Sequence, residues 1–116
     1  MPKRGDRVAA PPKPGEWELR FGDGASASGW EDLCAQVPGP TREAYDSLVS
    51  NPRSTKRPGR QHRLKGQLAE RVVAGETLEQ WQFEVTGGRR VWYCIDDAKR
   101  RVVIVLAAIG HPKATE

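Results

Sequence analysis

The chain has 116 residues, a formal net charge of +4, 37% hydrophobic and 29% charged residues, enough for one domain with a single modest core. No stretch approaches the ~20 apolar residues of a membrane span and the N-terminus carries no apolar signal region, so a soluble cytoplasmic protein is expected. Cys34 and Cys94 stand far apart at no paired spacing, which reads as two reduced thiols rather than a disulfide or a metal motif.

Residues 1–15 contain four of the nine prolines and few core-forming side chains, and read as a flexible basic tail before a domain over residues 16–116. Trp17 to Phe21 alternates between Gly15 and Gly22, marking a first strand. Ser28-Gly29-Trp30-Glu31 has the form of a capping box, and predicts a helix beginning there with Trp30, Leu33, Cys34 and Val37 along one stripe. Pro38-Gly39-Pro40 ends it. Thr41 then caps a second helix, burying Ala44, Tyr45, Leu48 and Val49 until Asn51-Pro52.

From Arg53 to Arg71 there are seven Lys or Arg residues and one acid, Glu70, so the positive surplus is concentrated. Arg53 to Lys65 reads as a basic loop, and Leu64 to Ala74 fits either a helix, through Leu68 and Val72, or a strand leading into a hairpin at Gly75-Glu76, of which the strand is favoured. Leu78 to Lys113 reads as a three-stranded antiparallel meander. Trp81, Phe83 and Val85 alternate with Gln80, Gln82 and Glu84. Gly87-Gly88 turns the chain where positive φ is expected. Val91, Tyr93 and Ile95 then alternate with Arg90, Trp92 and Cys94. After a turn at Asp96 to Lys99, Val102 to Ile109 is almost wholly apolar, as in a central strand covered on both faces. The fold class is α+β: an N-terminal strand and two short helices packed on an antiparallel sheet with a C-terminal meander.

If the apolar meander face lies under the helices, the opposite face displays Gln80, Gln82, Glu84, Arg90 and Trp92. There Arg90 can fork onto a phosphate and Trp92 can stack on a base. The alternative for Arg90 is a salt bridge to Glu84 on the adjacent strand. His111, delivered after Gly110 at the end of the apolar run, can give or take a proton near neutrality. His62, inside the basic loop, is a second candidate. Both also read as ordinary surface residues. The two histidines and two cysteines match no metal-ligand spacing, and no P-loop, dinucleotide fingerprint or nucleophile elbow is present. An anionic substrate without a metal motif points to RNA, whose 2′-hydroxyl can attack the adjacent phosphate.

Gln80 to Val85, the Gly-Gly turn, Arg90-Val91-Trp92-Tyr93, Gly110-His111-Pro112-Lys113 and the upstream Arg63-Leu64-Lys65-Gly66 together resemble the C-terminal half of the RelE/ParE superfamily of bacterial type II toxins. The resemblance runs from about Arg60 to Lys113 and is topological before that. It implies a RelE-like fold and a metal-independent endoribonuclease that cuts mRNA in the ribosomal A site, needs no cofactor, and is held inactive by a cognate antitoxin. It also implies that Arg90 contacts the scissile phosphate and that His111 serves in acid-base chemistry, with His62 or Glu84 as alternative bases. Arg60, Arg63, Lys65, Arg89, Trp92 and Lys113 are the implied RNA-binding set. Glutamines and Glu84 stand where some relatives carry lysines, and no tyrosine follows His111. A ParE-like toxin that blocks DNA gyrase without cleavage, or a basic RNA-binding module, are the other readings.

Overall fold

Strand β1 (Glu18–Phe21) is followed by helices α1 (Gly24–Gln36) and α2 (Pro38–Ser50), then strands β2 (Gln61–Arg63), β3 (Glu70–Val73), β4 (Glu76–Thr86), β5 (Arg89–Asp96) and β6 (Arg101–Ile109). This is the arrangement in a computed structural model, which describes residues 3–109. The architecture is α+β, with two helices and a six-stranded mixed sheet in the order β1-β6-β5-β4-β2, where β3 also pairs with β4. The meander expected between residues 78 and 109 is present: β4 and β5 pair antiparallel, as do β5 and β6. β1 lies parallel to β6 at one edge, with Leu19 opposite Val102. The expectation of a wholly antiparallel sheet is corrected by that one pairing.

The basic stretch is not all loop. Gln61–Arg63 pairs with Phe83 to Trp81, and Glu70–Val73 pairs with Glu79 to Glu76, so β2 and β3 form one interrupted edge strand along β4. Between them residues 65–68 swing out. The backbone of Gln80 bridges the gap, its carbonyl accepting from Leu64 N at 3.0 Å and its amide donating to Ala69 O at 2.9 Å. The β3–β4 turn is built on Ala74 (φ 51°) and Gly75 (φ 84°), two left-handed residues as a tight hairpin requires. Gly87 and Gly88 are not in that region; an irregularity between Glu84 and Thr86 adjusts the β4–β5 turn instead.

Helix α1 begins five residues earlier than the Ser28 pattern predicts. Asp23 is its N-cap, accepting from Ser26 N at 2.7 Å, while Ser26 Oγ faces the Asp23 amide in the reciprocal bond. Only Val37 separates the helices, so Thr41 lies inside α2. Its hydroxyl donates to Val37 O at 2.7 Å and also lies 3.0 Å from Leu33 O, tying the two helices together. Asn51 ends α2, as the Asn-Pro step predicts.

The main core lies between the helices and one sheet face: Trp17, Trp30, Leu33, Ala44 and Leu48 meet Trp81, Phe83, Val85, Val91, Tyr93, Ile95, Val102 and Ile104. Period-two alternation on β4 and β5 assigns this face correctly. The other face is not the open polar surface expected. A second cluster of Leu64, Trp92, Cys94 and Val105, flanked by Leu68, Val73, Leu78, Val103 and Leu106, covers it. The β5–β6 register shifts between Trp92 and Tyr93, which pair with Leu106 and Ile104 respectively, so Val105 is the extra residue of a bulge. Cys34 and Cys94 are free thiols, and burial pushes Cys94 up to about 11. Among the described residues no helix is long and apolar enough to cross a membrane.

Helix α1 approaches β6 most closely at Gly29, where a Cβ would stand 2.1 Å from Ala107 O. Gly29→Ala gains about 1 kcal/mol in helix propensity but forces the helix off the sheet at an overpacking cost of about 1–3 kcal/mol. Urea denaturation should show a net loss of stability. A midpoint equal to that of the parent protein would mean that α1 can lift without cost.

Candidate functional site

Four of the predicted site residues share the sheet face opposite the helices. Glu84 on β4 stands directly across from Arg90 on β5, and His62 on β2 stands across from Gln82, whose partner on β5 is Trp92. Because β-strand side chains alternate, Glu84, Arg90, Gln82, Trp92 and His62 all project to one side. His62 is then a diagonal neighbour of Glu84 across the β2–β4 ladder.

Arg90 is 6% exposed, and its Nη1 lies 3.8 Å from Glu84 Oε1. The salt bridge named as the alternative for Arg90 is therefore present. In a nearly dry position it is more sensitive than a surface pair, because removing one partner strands a buried charge. Glu84 itself is half-buried. Trp92 is 4% exposed, and its indole N–H donates to Gln82 Oε1 at 2.9 Å. Its expected role as a base-stacking platform is corrected, since the ring is packed in the second cluster.

The glutamines that looked like solvent-facing residues are buried partners. Gln80 is 2% exposed; its Nε2 donates to Leu68 O at 2.8 Å and holds the outward swing of residues 65–68 against the sheet. Its Oε1 accepts from Arg71 Nη1 at 3.4 Å. Buried amides satisfied on both sides stabilise a unique arrangement, whereas an unsatisfied one costs about 1–3 kcal/mol.

His62 is half-buried, with Nδ1 3.0 Å from Pro58 O. A carbonyl can only accept, so this contact places the proton on Nδ1 and leaves the Nε2 lone pair as the basic nitrogen. Of the predicted RNA-binding residues, Arg63 is exposed but donates to Ala69 O at 3.3 Å and lies within 4.0 Å of both Glu70 and Glu79. Lys65 is exposed at the start of the outward swing. Arg89, at the beginning of β5, bonds Gln36 Oε1 at 3.4 Å. Arg60 turns around the sheet edge to the helix side. Its Nε donates to Glu84 O at 3.2 Å, its guanidinium lies 5.3 Å from the Phe83 ring centre, and Glu43 is 3.6 Å away.

His111 and Lys113 lie outside the described residues. What the structure provides is the end of β6: Ala108 pairs with Arg90 and Ile109 with Arg89, so the last described residues of β6 lie beside the start of β5. Among the described residues no group of three or more His, Cys, Asp or Glu is placed to hold a metal.

Sequence reasoning missed the loop between α2 and β2 as a built feature. Tyr93, wholly buried, donates its hydroxyl to Pro52 O at 2.7 Å and accepts from Gln61 Nε2 at 3.0 Å; Gln61 also reaches Asn51 O and Pro52 O. Burial raises the Tyr93 phenol well above its ordinary range, so it stays a donor throughout the accessible pH range. The one local signal was Gln61 as a glutamine flanked by basic residues. Nothing in it points to Tyr93.

The Glu84–Arg90 pair sets an expectation. In a double-mutant cycle with Glu84→Gln and Arg90→Ala, the two single losses should exceed the double by a coupling of about 1 kcal/mol or more, measured by chemical denaturation. Additive effects would mean that the two charges do not act together. Compared with known proteins, the chain matches no family model, and no curated protein matches it.

Proposed function

We propose that this chain is a toxin of the RelE/ParE kind that cleaves mRNA on the ribosome, with the RNA 2′-hydroxyl as nucleophile. The observation that carries the reading is the convergence on one sheet face of Arg90, Glu84 and His62, beside the end of the strand that leads to His111. Supporting it, the order of one strand, two helices and a C-terminal antiparallel meander is the order that the resemblance implies.

The chemistry needs three things. A base removes the 2′-hydroxyl proton as O2′ bonds to phosphorus, an acid protonates the departing 5′-oxygen, and a cation offsets the charge growing on the non-bridging oxygens. Arg90 is the cation. Glu84, His62 with its free Nε2, and His111 are the groups able to carry the proton out and in. Arg60, Arg63, Lys65, Arg89 and Lys113 supply attraction for the RNA backbone. A protein of this kind is expected to be held inactive by a small acidic antitoxin encoded beside it.

A second reading, a toxin of the same fold that blocks gyrase or another protein without cleavage, is favoured by the burial of Arg90 and Trp92. The two differ in what Arg90 and His111 are for. Under the first, translating ribosomes incubated with the pure protein yield cut messages. Arg90→Ala should then lower the cleavage rate by about 10²- to 10³-fold and His111→Ala by about 10²- to 10⁴-fold. Arg90→Lys, which retains a charge, controls for folding. Intact messages at stoichiometric protein, with growth arrest retained in the His111→Ala variant, would overturn the cleavage reading in favour of the second.

A further inference from the structure

On the helix side of the β2–β4 edge lies a cleft of about 230 Å³. The last turn of α2 forms one wall with Ser47 and Ser50; the loop before β2 forms the other with Ser54, Lys56 and Arg57; Arg60 and the Phe83 ring close its end. We infer that this cleft is a second RNA subsite, holding a backbone phosphate of the strand on the far side of the sheet edge from the Glu84–Arg90 pair. The inference rests on the ribonuclease reading.

Charge is the first reason. Three cations border the cleft, and residues 53–69 contain no acid. Against them stand Glu43, 3.6 Å from Arg60 and 3.9 Å from Arg57, and the C-terminal end of α2, equivalent to about half a negative charge. The balance is positive, so an anion is attracted. Among the described residues the Lys56 ammonium makes no ion pair or hydrogen bond, which leaves its three donors for a ligand.

Rigidity is the second. The loop is fastened to the core by the Tyr93 and Gln61 bonds to Pro52 O. Within it, Ser54 N bonds Asn51 O, Lys56 N bonds Ser54 Oγ, and Arg60 N bonds Arg57 O. A cleft already ordered loses little entropy on binding. Every lining residue but Phe83 carries a polar group beside its aliphatic atoms, a mixture that suits a phosphate with its sugar.

Arg60 joins the two sides. It lines the cleft, while its Nε and Nη2 donate to the carbonyls of Glu84 and Val85 on β4. An RNA strand crossing the β2 edge would then place one phosphate in the cleft and another near Arg90.

The test is the binding of a short single-stranded RNA oligonucleotide, followed by fluorescence anisotropy across a salt series. Two variants alter the cleft alone: Lys56→Ala with Arg57→Ala, and Ser50→Glu, all at exposed positions. The double variant should bind about tenfold more weakly, with its salt slope shallower by about 0.7 for each phosphate that is no longer neutralised; Ser50→Glu should weaken binding in the same direction, with only the small loss of stability that a carboxylate at a helix C-terminus brings. Parent-like affinity and slope in both variants would overturn the inference. So would a parent protein that does not bind the oligonucleotide. The ribosome assay reports separately on the cleavage reading, which survives if messages are cut while the cleft variants bind RNA unchanged.

Discussion

A hydroxyl buried in the middle of the sheet sets the position of the loop that carries much of the positive charge. Tyr93 has no access to water, and an unsatisfied hydroxyl there would cost about 1–3 kcal/mol. It reaches Pro52 O and the Gln61 amide, and these two bonds stitch both ends of the connection between α2 and β2 to the core. The cations at positions 56, 57 and 60 therefore ride on a loop fixed by core packing rather than on a free chain. His62 follows directly on β2, and its Nδ1 bond to Pro58 O is possible only because the loop is held where it is.

The face opposite the helices is the least ordinary part of the fold. Gln80, Gln82, Arg90 and Trp92 are all buried there, in a row that β4 and β5 alone would leave wet. Two segments close it: β6 contributes Val103, Val105 and Leu106, and the link between β2 and β3 contributes Leu64 and Leu68. The polar groups are retained at a desolvation cost, met by specific bonds such as Trp92 to Gln82 and Gln80 to Leu68. An arginine opposite a carboxylate in such a place is preorganised, because its charge is already dehydrated and its orientation constrained. That property is what the proposed reaction would draw on.

The sequence made the meander, the two helices and the main core legible, because each carries its own period: two along Trp81, Phe83 and Val85, and three to four along Trp30, Leu33 and Ala44, Leu48. What it did not reveal depended on partners distant in the chain. The helix starts from a capping box of Asp23 and Ser26, which leaves Ser28 inside it. The basic stretch reads as a loop by composition, yet Gln61–Arg63 is held as a strand by the open edge of β4. The parallel placement of β1 beside β6 has no local signature at all. The register shift that makes Val105 a bulge beside Trp92 is concealed by a continuous apolar run. For the candidate site the outcome is divided. Arg90 and Glu84 fall on one face as alternation implies, and His62, read as a loop residue, joins them through the β2 pairing; the openness of that face, inferred from the same alternation, does not hold.

The β2 edge of the sheet is where these observations meet. An edge strand normally presents unpaired backbone groups and is protected by charge, irregularity or a covering segment. Here the edge is short, broken by the excursion after Leu64, and flanked by Arg60, Arg63 and Lys65. Those devices discourage another strand from adding on, and the same charges attract a polyanion. Of the three, Arg60 and Arg63 are partly engaged by carbonyls and by Glu43, Glu70 and Glu79. These carboxylates matter for binding, because an incoming phosphate must compete with them. A polyanion touching several of these cations at once can displace such exposed ion pairs, each worth no more than about 1 kcal/mol, whereas a single free phosphate gains too little to do so. For the proposed RNA ligand, that competition favours an extended anionic chain over its monomeric building blocks.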